Sequence, residues 1–382
     1  MRLLHTADLH LGKRLYGVDR LTEAHAVIDE IAGIAEQNAV DAVLLAGDIL
    51  DRRIVDPEVL SVALQGLERL GRAAPVVAVT GNHDDPLFWA ELAPYLAPRI
   101  LLAATDTVLS LDTAAGPLTV ACMPWPEPAD AVTAPGAVRG ESREAYGDLV
   151  RGRLVELGRQ TQSTRIQRGG AAVLVAHLMM RGGRSGGGER ELTLGGTYAV
   201  AGGDVPPVFD YVALGHLHRP QVVGSVAAPA RYSGSPLGLD FSGDGDDPSV
   251  TIVEIEGGRA HTREVPLTAG RRLVRIRGAL DDLPRIAADH PDSWFFCEVV
   301  SDDTRLDMVR VVREVVPDAL RVEQIVSRSS DPLDTPDEED LSSRSLAELY
   351  REWLVSVGRP ADPALLAEME RALAQADGEF VE

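Results

Sequence analysis

Apolar and polar positions follow two alternating periods over residues 1–125. Short apolar runs at Arg2–Ala7, Ala42–Ala46 and Pro75–Thr80 have the length of buried strands. Between the first two, Arg20–Gln37 places Leu21, Ala24, Ile28, Ile31 and Ala35 at the spacing of an amphipathic helix. Asp56-Pro57 sets a capping residue before a proline suited to the first helical position, and predicts a helix to about Leu70. Pro86–Leu96 predicts another. Strand–helix alternation with short connections predicts an α/β layered fold with parallel neighbours.

Further strands are predicted at Leu118–Cys122, Ala171–Ala176, Tyr211–Leu214 and Val250–Ile255. Arg139–Arg168 reads as a helix with seven arginines against four acids, and Arg181–Arg190 as a glycine-rich loop. Near Gly270 the pattern resets to strand Leu273–Arg277, helix Asp282–Ala288, strand Trp294–Val300, helix Arg305–Val315 and strand Leu320–Val326. The expected division is a main domain over 1–268, a small α/β domain over 269–328, and a tail over 329–382. The tail opens with an acidic linker, Ser329–Asp340. Two amphipathic segments follow: Ser345–Val357 with Leu346, Leu349, Trp353 and Leu354, and Pro363–Ala376 with Leu365, Leu366, Met369 and Leu373.

At 45% hydrophobic and 25% charged residues, the 382-residue chain has the composition of a soluble globular protein. No apolar run approaches a membrane span, and the opening MRLLHTADLH, with a histidine and an aspartate in its apolar part, does not read as a signal peptide. Cys122 and Cys297 lie in strand-like runs without a C-x-x-C partner, which points to a reducing compartment. The net charge is −22; residues 331–382 contribute 14 acids and 4 arginines, leaving −12 for residues 1–330. A nucleic-acid function would therefore need a local basic face or a metal site to offset the bulk charge.

The ends of the predicted strands carry the chemistry. Asp8-Leu9-His10 follows the first, Gly47-Asp48-Ile49-Leu50-Asp51 the second and Gly81-Asn82-His83-Asp84 the third. His177 follows Ala171–Ala176, and Gly215-His216-Leu217-His218 follows Tyr211–Leu214. Each piece alone is ordinary: Gly-Asp is usually a turn, and Asp51 can simply cap the next segment. Together they bring Asp, Asn and five of the nine histidines to the carboxyl ends of strands, where open α/β sheets bind ligands. Mixed nitrogen and oxygen ligands suit Mn²⁺, Fe²⁺ or Zn²⁺. Two metals about 3.5–4 Å apart need a bridging carboxylate. Asp48, on a central strand between the two ligand sets, is the natural bridge, and Gly47 is expected to let the backbone approach the metals.

These motifs resemble the calcineurin-like metallophosphoesterase superfamily and, within it, the Mre-type nucleases of double-strand-break repair. LLHTADLHLGK (Leu3–Lys13), MPWPEP (Met123–Pro128), GERELTLGG (Gly188–Gly196), ALGHLHRPQ (Ala213–Gln221) and YSGSPLGLDFS (Tyr232–Ser242) extend the likeness, and the small domain resembles the family's capping, DNA-recognition domain. Loop Arg181–Arg190 departs from the family pattern. The resemblance implies a layered metallophosphoesterase fold of central β-sheets flanked by helices, with the capping domain and C-terminal helices. It implies two divalent metal ions, Mn²⁺ foremost, one held by Asp8, His10, Asp48 and His218 and the other by Asp48, Asn82, His177 and His216. His83 would act on the leaving group, oriented by Asp84; alternatively Asp84 only caps the Pro86 helix.

The partners implied are DNA and an SMC-like coiled-coil ATPase bound by the C-terminal helices. The assembly would be a homodimer within a heterotetramer, cytoplasmic, at the nucleoid and away from membranes. Its activity would be 3′–5′ exonuclease and single-strand or hairpin endonuclease cleavage in DNA repair, recombination and replication. A small-molecule or protein phosphoesterase would not need the small domain and tail, and a scaffold with a dead site would not need a complete ligand set.

Overall fold

The structure is a computed structural model that describes residues 1–127, 142–184, 199–241, 247–326, 350–351 and 354. Among these, six strands make a first sheet: β1 (Arg2–Thr6), β2 (Ala42–Ala46), β3 (Val76–Val79), β4 (Ile100–Ala103), β11 (Ser249–Glu256) and β12 (Arg259–Pro266). Their order across the sheet is β12-β11-β1-β2-β3-β4. A second sheet comprises β5 (Thr107–Thr113), β6 (Gly116–Met123), β7 (Ala171–His177), β8 (Tyr211–Gly215), β9 (Gln221–Val222) and β10 (Ala230–Tyr232), in the order β5-β6-β7-β8-β10-β9. Strands β1 to β4 are mutually parallel, as are β6, β7, β8 and β10. Antiparallel strands close the edges: β11 and β12 on the first sheet, β5 and β9 on the second.

Strand alternation explains why the central runs are apolar throughout. In β2, Ala42, Leu44 and Ala46 face the second sheet, packing with Leu118, Val120, Val173, Val175 and Ala213. Val43 and Leu45 face the helices α1 (Leu21–Gln37) and α2 (Pro57–Ala73), against Ile28, Ile31, Leu67 and Leu70. A third helix, α3 (Pro86–Leu96), lies on the same side of the first sheet. The other side of the second sheet packs Leu174, Ala176, Val212 and Leu214 against Val150, Leu154 and Leu157 of α4 (Ser142–Arg168). A strand buried on both faces needs apolar residues at every position. The expected α/β layering is therefore present as two stacked sheets between helical layers.

His5 in β1 is a buried polar residue that ties the sheets together. It is buried, its Nε2–H donates to Leu214 O (3.2 Å) and its Nδ1 accepts from Tyr211 Oη (2.9 Å). Burial pushes its pKa down to about 3, so the ring is neutral.

Strands β13 (Arg272–Gly278), β14 (Ser293–Ser301) and β15 (Ala319–Val326) form a third sheet in that order, with α5 (Leu283–Ala288) and α6 (Met308–Val315). It has its own core of Ile276, Leu283, Phe295, Cys297, Val299 and Val312, and it meets the main layers through Leu15, Phe241, Phe296 and Leu320. Met1–Ile325 form one compact unit and Val326–Glu382 a second. Tyr350, Arg351 and Leu354 are helical; the rest of Ser345–Val357, all of Pro363–Ala376 and the Ser329–Asp340 linker lie outside the described residues. No described helix is long and apolar enough to cross a membrane. Cys122 and Cys297 are free and buried.

Candidate metal centre

The loops after β1 and β2 continue the pairing of their strands. Asp8 N–H donates to Gly47 O, His10 N–H to Asp48 O and Leu11 N–H to Ile49 O, each at 3.0 Å. Within this zipper Asp8, His10 and Asp48 take left-handed backbone conformations, with φ of 54°, 42° and 50°, and His216 has φ 106°. Non-glycine residues there cost on the order of 1–3 kcal/mol each and persist only where the surroundings impose them. Four such residues among the seven expected ligands mark a site whose geometry is held by the fold.

All seven expected ligands converge at the carboxyl ends of β1, β2, β3, β7 and β8. His10 Nε2 and His218 Nε2 face one another at 3.0 Å. Asp48 Oδ2 lies 3.5 Å from His10 Nε2 and 3.4 Å from His177 Nε2. Asn82 Oδ1 lies 3.0 Å from both His177 Nε2 and His216 Nδ1. Both Asp8 oxygens accept the His216 backbone N–H, at 3.0 and 3.1 Å. His177 Nδ1–H donates to Ala46 O (2.8 Å), which leaves the Nε2 lone pair aimed at the cluster. Three trios, Asp8–His10–His218, His10–Asp48–His83 and Asp8–Asp48–His177, each have ligand atoms within 4.8 Å of one another. Imidazole nitrogens, carboxylate oxygens and an amide oxygen gathered this closely are the mixed nitrogen and oxygen donor set that divalent metals take.

The two candidate catalytic residues lie differently from expectation. Asp84 neither orients the His83 ring nor caps α3; Asp85 caps that helix, accepting from Leu87 and Phe88 N–H. Asp84 is buried and accepts from Ile49 N–H (3.2 Å), Leu50 N–H (3.0 Å), Gly81 N–H (2.8 Å) and Trp89 Nε1–H (3.2 Å). It clamps the loop after β2 to the loop after β3. His83 is oriented instead by Asp51, whose backbone oxygen accepts its Nδ1–H at 2.6 Å. The role of Gly47 also differs: a Cβ there would collide with His177 Nδ1, so the glycine makes room for the His177 ring. At Gly81 a Cβ would collide with Asp48 Oδ1.

Electrostatics follow from burial and crowding. Burial works to raise Asp48, but His177, His10 and His83 hold it far below the carboxylate range. Asp8 is driven up to about 7, chiefly by burial, with Asp48 adding to the push. Burial pulls His177 down, yet Asp48 and Asp8 outweigh it and raise the metal-free ring to about 9, so a metal bound at Nε2 would have to displace a proton there. Burial and then His177 lower His216 to about 3.

Residues 1–220 match the calcineurin-like phosphoesterase family. This chain belongs to that family. Its relatives include the SbcD component of the nuclease SbcCD from Bacillus subtilis, 32% identical over 343 residues, covering 85% of this chain and 86% of that protein. The Rhodobacter capsulatus protein of the same name is 33% identical over 297 residues, covering 72% and 71%. The Escherichia coli K12 protein, again of that name, is 26% identical over 385 residues, covering 93% and 92%. The narrower likeness to SbcD that the sequence motifs carry is borne out.

Around this phosphoesterase site stand residues of the family-like motifs that are not among the expected ligands. Ser235 Oγ–H donates to Asp8 O (2.8 Å), and Ser235 N–H donates to His218 O (3.0 Å). Tyr232 Oη accepts from Met180 N–H (2.8 Å) and donates to Leu178 O (2.7 Å), fixing the loop after His177. Both belong to YSGSPLGLDFS. Asp51 Oδ1 lies 3.5 Å from His10 Nδ1 and 3.7 Å from Lys13 Nζ. The arginine-rich helix offers no free basic face among its described residues: Arg151, Arg153, Arg159, Arg165 and Arg168 all pair with carboxylates. GERELTLGG lies outside the described residues.

Proposed function

We propose that this chain is the nuclease subunit of an SbcCD-type complex, a two-metal phosphodiesterase that cleaves DNA ends, hairpins and blocked ends together with the SMC-like ATPase SbcC. The observation that carries the reading is the position of the Asp48 carboxylate, between His10 and His177, with further ligands on either side. Asp8, His10, Asp48 and His218 would hold one Mn²⁺, and Asp48, Asn82, His177 and His216 the other. When bound, the two ions would supply Lewis acidity to the phosphate and its attacking and leaving oxygens.

The residues of the chain supply the rest. His83 is half-buried at the rim and held through Nδ1, so its Nε2 can give a proton to the leaving oxygen. Burial, the largest influence, lowers its pKa and so keeps the ring easily deprotonated. Asp84 acts at one remove, by holding the Asp48 and Asn82 loops together. Cation charge in the site would offset the acidity of the chain locally, and SbcC would supply most of the DNA-binding surface. Residues 269–328 would form the capping domain and the tail would dock on SbcC. The buried thiols fit a cytoplasmic enzyme working at the nucleoid.

The test is cleavage of linear duplex and hairpin DNA, and of p-nitrophenyl phosphate, with Mn²⁺ and with or without SbcC and ATP. Hydrolysis of the small ester with no cleavage of DNA in any combination would replace the nuclease by a small-substrate phosphoesterase.

A further inference from the structure

MPWPEP stands out in the sequence, yet none of its residues is a ligand or an acid–base group. The structure shows what its tryptophan touches. Trp125 is 8% exposed, and its indole stacks on the His216 ring with centroids 4.8 Å apart and planes tilted by 31°. The same indole meets His177 edge-on at 5.8 Å and 73°. These two rings, themselves 5.3 Å apart, both aim a nitrogen at Asn82 Oδ1.

The backbone of Trp125 is itself held. Its N–H donates to Thr80 O (3.0 Å), two residues before Asn82, and the carbonyl of Pro126 accepts from the buried Tyr146 hydroxyl (3.1 Å). Proline on both sides narrows the conformations open to the segment. The indole is therefore fixed to the ends of β3 and β6 and pressed on rings from the ends of β7 and β8. His216 needs such a constraint. Its backbone sits at φ 106° and is held by Asp8, but that leaves rotation about its side-chain bonds to be settled by what packs against the ring. In the other half of the centre the His10 ring is packed by different neighbours, edge-on against His83 and His218.

We infer that Trp125 is the positioning residue for the His177–Asn82–His216 half of the centre, orienting both imidazoles so that this half takes its divalent ion more tightly than the ligands alone would allow. The inference rests on the two-metal reading above. An indole that merely filled core volume would affect stability and both half-sites alike; one that aligns two rings acts on one half-site.

The experiment uses the full chain, stripped of metal and titrated with Mn²⁺ by calorimetry, with bound metal counted after dialysis and thermal unfolding of each metal-free variant recorded. Wild type should bind two ions per chain. Trp125→Ala should keep one ion at wild-type affinity and weaken the other roughly 10–100-fold, the range for losing a partner that orients a ligand. Trp125→Phe, which retains a stacking face, should restore the second ion. Trp125→Leu, which fills volume without that face, should behave like alanine and keeps the test open if the alanine variant does not fold. Two ions of unchanged affinity in the leucine or alanine variant would overturn the inference while leaving the two-metal reading intact. Equal weakening of both ions, tracking a fall in melting temperature, would also overturn it. Fewer than two ions in wild type would bring down the two-metal reading itself and the inference with it.

Discussion

Asp48 uses one carboxylate oxygen to hold His83: Oδ1 accepts the His83 backbone N–H at 2.8 Å, while Oδ2 faces the imidazoles of His10 and His177. One side chain thus anchors the loop carrying the proposed acid and, in the two-metal reading, would join the two halves of the centre. Asp48→Ala removes both functions and should lose nearly all bound Mn²⁺ and all cleavage. Asp48→Asn keeps an acceptor for the His83 N–H but loses the charge, so it should unfold closer to wild type and still bind little metal. Metal content after dialysis checks this; two retained ions per chain in either variant would show that Asp48 bridges nothing.

His83 lies within ligating range of His10 and Asp48, so geometry alone allows two roles. The proton-donor role predicts that His83→Ala retains two metals and loses DNA cleavage by ~10²–10⁴-fold, the usual worth of a positioned acid or base. Loss of an ion along with activity would make His83 a ligand.

The strand ends were legible because a strand buried on both faces is almost wholly apolar, so the polar residues that follow it stand out. AVLLA before Gly47-Asp48 and AAVLVA before His177 show this. The edge strands were not. β12, RAHTREVP, buries little and its polar residues face outward, and β4 follows α3 after only three residues. Left-handed conformations at Asp8, His10 and Asp48 left no mark, since no glycine occupies those positions. The role of Asp84 was hidden because its neighbour Asp85 caps the helix, and two adjacent aspartates before a proline do not say which one does so. Its four donors come from both sides of the site and are visible only in three dimensions.

Glu23 on α1 fastens the third sheet. Oε2 accepts from Arg20 and from Arg271 N–H, both at 2.9 Å, and Oε1 accepts from Trp294 Nε1–H at 3.0 Å. Burial works to raise its pKa, but Arg20, Arg271 and Trp294 together lower it. A folded-state pKa below the unfolded one contributes stability that is full above the unfolded carboxylate range and is lost as pH falls through the folded value. Glu23→Gln, which replaces an acceptor by a donor, should therefore cost about 1–3 kcal/mol near neutral pH. The gap to wild type should begin to narrow below about pH 4, where the reference carboxylate takes up its proton, and close only as pH falls through the lower folded value. Denaturant unfolding at a series of pH values measures the gap; a gap independent of pH would remove the charge from the explanation.

Tyr95 on α3, 85% exposed, lines a groove between α2 and α3 with Leu64, Leu92 and Leu96, and Leu87 on the same helix is 78% exposed. An apolar patch of this kind on a protein surface marks a contact site. If it joins two copies in the proposed heterotetramer, wild type should sediment as a dimer at micromolar concentration. Tyr95→Glu with Leu87→Glu should give a monomer that still binds two metals. A monomeric wild type would free this face for some other role.

In the proposed complex the tail would let an acidic chain serve a DNA reaction. Residues 331–382 carry a net charge of −10, yet the segment after the linker places Leu346, Leu349, Trp353 and Leu354 at helical spacing. Tyr350, Arg351 and Leu354 are helical, and Leu354 is buried. An apolar helix face beyond an acidic linker has to be covered, either within its own chain, as Leu354 is, or by docking into a groove of a partner helix pair. The compact unit Met1–Ile325 contains every expected metal ligand, so a chain ended after Ser330 should fold, bind two metals and cleave short DNA weakly with Mn²⁺. It should fail to retain SbcC in a pull-down, and ATP should no longer stimulate cleavage of blocked or hairpin ends. Equal recovery of SbcC by the full and shortened chains would return the helices to a role within their own chain.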